Sequence, residues 1–169
     1  MPESDSPGLA SRIGRIAALL KDERLSRGDL AALRRMNPLG PAPLTWYRFA
    51  VRALTDEWDR SLETQKNWMT IVGGMALMHP DVHDPHQPLG LVLAEKQYSD
   101  SRLERLLAAE GDLLRTLVLR MARFLAAQGA RVNWVDAARL LFVHDPDVQE
   151  PIRRRIATDF FSHQISHTG

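Results

Sequence analysis

The sequence predicts an all-α protein built as two packed helical lobes, about eight to nine helices in all. Three observations lead there. Apolar residues recur at helical spacing in segment after segment, and no segment sustains the alternation of a strand. Clusters of proline, glycine, aspartate and histidine separate those segments at 37–43, 79–88 and 144–151. No helical unit returns at a fixed period, which argues against a solenoid. A chain of 169 residues is long enough for one domain with a good core or for two small lobes. The natural division falls near residue 85, giving an N-terminal lobe (1–85) and a C-terminal bundle (86–169).

The elements follow in order. Leu9, Ile13, Ile16, Ala17 and Leu20 fall on one face of a first helix. Ser26, with Asp29 three residues on, caps a second over "RGDLAALRRM". "NPLGPAP" (37–43) breaks the chain. A third helix is expected over roughly 44–58, burying Trp46, Ala50, Ala53, Leu54 and Trp58. A fourth, about 62–78, buries Trp68, Ile71, Val72 and Met75. Gly73 and Gly74 each cost it about 1 kcal/mol relative to alanine, so a neighbouring helix is expected to approach closely there. After the breaker at 79–88, "LGLVLAEK" makes a short helix. Ser99 caps the next, with Leu103, Leu106 and Leu107 inward. A long helix runs from Gly111 to Gln128 on Leu114, Leu117, Val118, Met121, Phe124 and Leu125, and Gly129 stops it. Asn133 caps "WVDAARLLFV". Pro151 suits the first turn of a last helix with Ile152, Ile156 and Phe160 inward, and "SHQISHTG" reads as a frayed tail.

Composition narrows the chemistry. The chain has no cysteine, which excludes disulfides, thiolate metal sites and cysteine nucleophiles and fits a reducing cytoplasm. No apolar run reaches membrane-span length, and the polar start "MPESDSPGLASR" lacks the basic and apolar regions of a signal peptide. The net charge is only +1, yet 19 of the 22 basic residues are arginine. That bias fits either an arginine-rich codon usage or phosphate contact through the planar guanidinium fork.

"HPDVHDPH" (79–86) holds three of the six histidines. On a continuous helix His79 and His83 would share a face and could chelate zinc. Pro80 and Pro85 prevent a regular helix, and no glutamate stands where a general base would. The competing reading is a polar connector in which Asp84 makes an Asx turn ahead of Pro85. Neither a P-loop, a dinucleotide fingerprint nor a nucleophile elbow is present. Asp56, Glu57 and Asp59 read as a solvated face. Trp46, Trp58, Trp68 and Trp134 read as core anchors rather than base-stacking platforms. Arginines remain at helical spacings: Arg34-Arg35, Arg48 and Arg52, Arg102 and Arg105, Arg120 and Arg123, and Arg153-Arg154-Arg155. They form either basic stripes that follow a phosphate backbone or solvated faces with weak intrahelical pairs.

Read in order, "GDLAALRRMNP" (28–38), "TWYRF" (45–49), the block from Trp68 to Leu114, "RFLA" (123–126), "NWVDAARLL" (133–141) and "RRRIATDFF" (153–161) resemble the small-subunit CasB family of the type I-E CRISPR Cascade complex. The most specific block is 79–107, with its "HDP", "LG" and "YSDSRLERLL" in sequence. The resemblance implies an all-α, non-enzymatic subunit without metal or cofactor, and it makes the histidine segment a connector. It implies as partners the other Cascade subunits, a second copy of the chain, the guide RNA, and the target and non-target DNA strands, with no membrane. The implied role is to hold the guide RNA–target heteroduplex and the displaced strand of an R-loop. Carried onto this sequence, the expected nucleic-acid-binding residues are Arg34, Arg35, Arg102, Arg120, Arg123, Arg153 and Arg154, with Lys66 added beside the Trp68 face. Arg34, one residue past Leu33, is the member expected to be structural. Two alternatives stand beside this. One is a helical adaptor whose basic residues meet acidic partner subunits; the other is a metal-dependent hydrolase on His79, His83 and His86.

Overall fold

In a computed structural model, residues 7–168 are described. Residues 1–6, which carry most of the acidic start, and Gly169 lie outside the described residues. Among the described residues the regular structure is all helical: α1 (Pro7–Leu20), α2 (Arg27–Arg35), α3 (Leu44–Ala53), α4 (Leu62–Leu77), α5 (Leu89–Glu95), α6 (Asp100–Ala108), α7 (Gly111–Ala127), α8 (Trp134–Phe142) and α9 (Pro146–Thr168).

Several helix starts coincide with side chains that satisfy the first free amides, although α3, α5 and α7 begin without one. Ser26 Oγ accepts from the Asp29 amide at 3.0 Å, and Ser61 Oγ accepts from Thr64 at 3.1 Å. Ser99 Oγ accepts from Arg102 at 3.2 Å, and Asn133 Oδ1 accepts from Val135 at 3.0 Å. At the other end, Gly129 stops α7 with a φ of 62°, a left-handed turn that a side chain would strain.

The central element is α4. Asn67 to Ala76 are all buried, because α2 covers one side of the helix and α7 and α8 cover others. Of the two adjacent glycines, Gly74 is the one that closeness requires. A Cβ there would lie 2.3 Å from Cη2 of Trp134, whereas at Gly73 the nearest neighbour stands at 3.6 Å. Gly90 plays the same part between α5 and α9, where a Cβ would come 2.1 Å from the Ile156 carbonyl oxygen. Ile13, Ile16 and Leu20 of α1 join Trp46, Trp134 and Phe160 in one continuous hydrophobic cluster.

Three boundaries differ from the sequence expectation. α3 stops at Ala53 instead of running to 58. Thr55 and Glu57 both take φ near 60°, and a right-handed helix cannot continue through left-handed residues. Trp58 nonetheless folds back, edge-on to Trp46 at 5.9 Å, so its burial survives the loss of the helix. The last helix begins at Pro146, five residues earlier than expected, with Pro151 inside it. Asp145 is the cap: its Oδ1 accepts from the Asp147 amide at 2.9 Å. Pro146 therefore occupies the first-turn position assigned to Pro151. The segment read as a frayed tail is the helical continuation of α9 to Thr168, tied back where Gln164 donates to Asp100 at 3.1 Å.

Candidate nucleic-acid interface

The histidine segment is a stitched connector. Asp84 Oδ1 accepts from the His86 amide at 2.9 Å, the expected Asx turn. His83 Nδ1 accepts from the Trp134 amide at 3.1 Å. Burial holds that imidazole below the ordinary histidine range, so the neutral ring is the form that can accept. Around it Asp84 donates to the Val132 carbonyl and Asn133 to the Gln87 carbonyl, and Arg131 pairs with Asp81 at 3.0 Å. Asp136, a buried carboxyl whose pKa desolvation raises, accepts from the Leu89 amide at the start of α5. Among the described residues no three His, Asp or Glu side chains are grouped to hold a metal. His79, His83 and His86 are therefore not brought together as the hydrolase alternative expects, and His83 is already engaged in joining the connector to α8.

The basic residues separate into engaged and unengaged ones. Arg34 Nε donates to the Ala76 carbonyl at 3.0 Å, tying α2 to the C-terminal end of α4, while Arg35 beside it is exposed. Lys66 is largely covered and sits between Glu63 at 3.6 Å and Asp112 at 3.5 Å. Arg154 is exposed and pairs with Glu150 at 3.5 Å, whereas Arg153 is half-buried. Arg102, Arg120 and Arg123 are exposed, and none of them pairs with a carboxylate of the described residues.

Packing of α6 on α7 brings Arg102 and Arg120 together. With Arg105, Tyr98 and Leu117 they line a cleft of about 290 Å³. The Arg102 guanidinium lies 5.8 Å from the ring centroids of both Tyr98 and Phe124, which pack edge-on at 5.2 Å. Burial pushes the Tyr98 phenol up, opposed by Arg102 and Arg105, so it stays a neutral donor at physiological pH. Arg123 stands one turn further along α7. Arg34, Arg35, Lys66, Arg153 and Arg154 line no part of this cleft. Arg105 and Tyr98 were absent from the residues expected by resemblance; the i, i+3 spacing of Arg102 and Arg105 was the available signal.

Sequence comparison locates this architecture. The family described as CRISPR-associated protein Cse2 matches residues 29–161. The chain belongs to the Cse2 family. No curated protein and no solved structure matches it. The Cse2 match spans most of α2, all of α3 to α8 and α9 as far as Phe161, so the whole α6–α7 cleft lies within it. This is the CasB resemblance of the sequence blocks, and it places the chain among the CRISPR-associated subunits of Cascade. No described helix is long and apolar enough to cross a membrane.

One further arginine in this Cse2 chain escaped the sequence reading. Arg115 is 3% exposed. Its Nε donates to Asn67 Oδ1 at 2.9 Å, one terminal nitrogen donates to Glu63 at 2.7 Å, and the other meets Asp112. Asn67 Nδ2 in turn donates to the Leu141 carbonyl at 3.2 Å, joining α4, α7 and α8. Hydrogen bonds from Arg115 hold the Glu63 and Asp112 carboxyls below their ordinary values. A larger cleft of about 410 Å³ adjoins this network, but its guanidinium is already satisfied by carboxylates. That hollow offers an anion no unpaired cation from Arg115.

Proposed function

We propose that this Cse2-family chain is a non-catalytic, cytoplasmic small subunit of type I-E Cascade that holds nucleic acid through its arginine-bearing α6–α7 face. There it stabilises the guide RNA–target heteroduplex and the displaced non-target strand, alongside other subunits and a second copy of itself. The supporting observation is that Arg102, Arg105 and Arg120 converge on one cleft, with Arg123 a turn away, and none is neutralised by a described carboxylate. R-loop formation exchanges one duplex for another of similar stability. Backbone contacts of modest individual strength can therefore tip the balance, and such contacts weaken with salt.

The test is target-duplex binding by guide-loaded Cascade lacking its small subunit, with this protein added back. Wild-type protein is expected to tighten binding. An Arg120→Glu/Arg123→Glu double variant is expected to incorporate normally and fail to tighten it. The adaptor reading draws on a different observation: Leu44, Tyr47 and Val51 expose an apolar stripe on α3, at 80%, 41% and 59%. If the double reversal blocks incorporation itself, the arginines meet protein and that reading replaces the first.

A further inference from the structure

Three guanidinium groups around one small hollow repel one another, and no described carboxylate offsets them. All three are exposed, so water screens much of that repulsion, and what remains leaves the hollow a cationic spot that an anion would complement. The cleft is also pre-shaped. Arg102 lies against the packed rings of Tyr98 and Phe124, an arrangement that fixes a cationic plane before any ligand arrives. Tyr98 is 6% exposed, and its hydroxyl makes no hydrogen bond to another described residue, which leaves a phenolic donor beside the arginines. Leu117 supplies an apolar floor. A solvated basic stripe needs none of this construction. The volume is near the lower end for small-ligand sites, enough for a compact anion.

We propose that the cleft seats a single phosphate group, with Arg102, Arg105 and Arg120 donating to its oxygens and the Tyr98 hydroxyl adding a neutral hydrogen bond. This deepens the preceding reading and rests on it for one source of phosphate, the phosphodiester of a single strand. A phosphorylated small molecule is the other source with the same chemistry.

The experiment uses the purified full chain. Binding of fluorescein-labelled oligothymidylate is followed by anisotropy, pyrophosphate is added as competitor, and arginine Nε–H signals are followed by NMR. The variants are Arg105→Gln and Tyr98→Phe, with Arg60→Gln as a control for loss of one charge at an exposed, ion-paired site. Arg105→Gln is expected to weaken the oligonucleotide about tenfold and Tyr98→Phe about threefold. Arg60→Gln should stay within about twofold, and pyrophosphate should compete. If wild type binds the strand and both cleft variants bind it equally well, the seat is overturned while strand holding survives. If pyrophosphate shifts arginine signals in wild type but not in Arg105→Gln, and no strand binds, the seat stands with a small phosphorylated ligand and strand holding by the isolated chain falls. If neither probe binds, the seat is overturned and the Cascade add-back assay alone decides the function.

Discussion

A cation's partner decides what it can do, and that partner is a tertiary fact. Arg34 is marked as structural by its place beside Leu33, but Lys66 and Arg115 look no different in sequence from Arg102 or Arg120. In the fold Arg34 is bound to the Ala76 carbonyl, Lys66 lies between two carboxylates and Arg115 is buried with three side-chain partners. Arg115 yields a pH prediction. Glu63 and Asp112 have ordinary values of 4.5 and 3.8, and Arg115 lowers both in the folded chain. Their contribution is therefore present above those ordinary values and is lost as pH falls through the lowered folded ones. Urea midpoints are expected to fall more steeply between about pH 6 and about pH 3 for wild type than for Arg115→Met, which removes the buried charge. At neutral pH, Asn67→Ala should cost roughly 1–3 kcal/mol, because Arg115 Nε and the Leu141 carbonyl each lose a buried partner. Equal pH profiles for wild type and Arg115→Met would show that the network carries no such linkage.

Helices that announce their ends in side-chain chemistry were legible. Ser26, Ser99 and Asn133 cap where their spacing predicts, and Gly129 stops α7. Boundaries set by other means were not. Thr55 and Glu57 turn left-handed without a glycine to mark them, and Trp58 sits at a helical interval from Leu54, which extended α3 on paper. In α9 the Asp145-Pro146 pair is a good cap and first-turn proline, but Pro151 carries the same signal five residues later and drew the boundary to itself. Inside the helix Pro151 leaves the Asp147 carbonyl without its intrahelical donor. Pro151→Ala is therefore expected to raise stability by about 1–3 kcal/mol in chemical denaturation, and unchanged or lowered stability would mean that the proline's ring packing outweighs the missing bond. The cleft obeys the same logic at this scale. Arg102 and Arg120 were named from separate sequence blocks, whereas their convergence with Arg105 and Tyr98 exists only once α6 lies on α7.

For the molecule as a whole, the division near residue 85 is a proposal about topology, with α1–α4 on one side and α5–α9 on the other. We propose that these lobes unfold together. α4 packs against α7 and α8, the Arg115–Asn67 network crosses between them, and the hydrophobic cluster contains residues of both. Far-UV circular dichroism and tryptophan fluorescence should then give coincident urea transitions; two separated transitions would establish independent lobes. The ring of Trp134 over Gly74 has a consequence in descent. A side chain at 74 collides with an intact indole, and a smaller residue at 134 leaves a void beside a bare backbone. Each change is expected to be harmful alone and less so with the other, so the two positions are expected to vary as a pair. A lineage that changed how these helices meet would then need a double step to cross that gap.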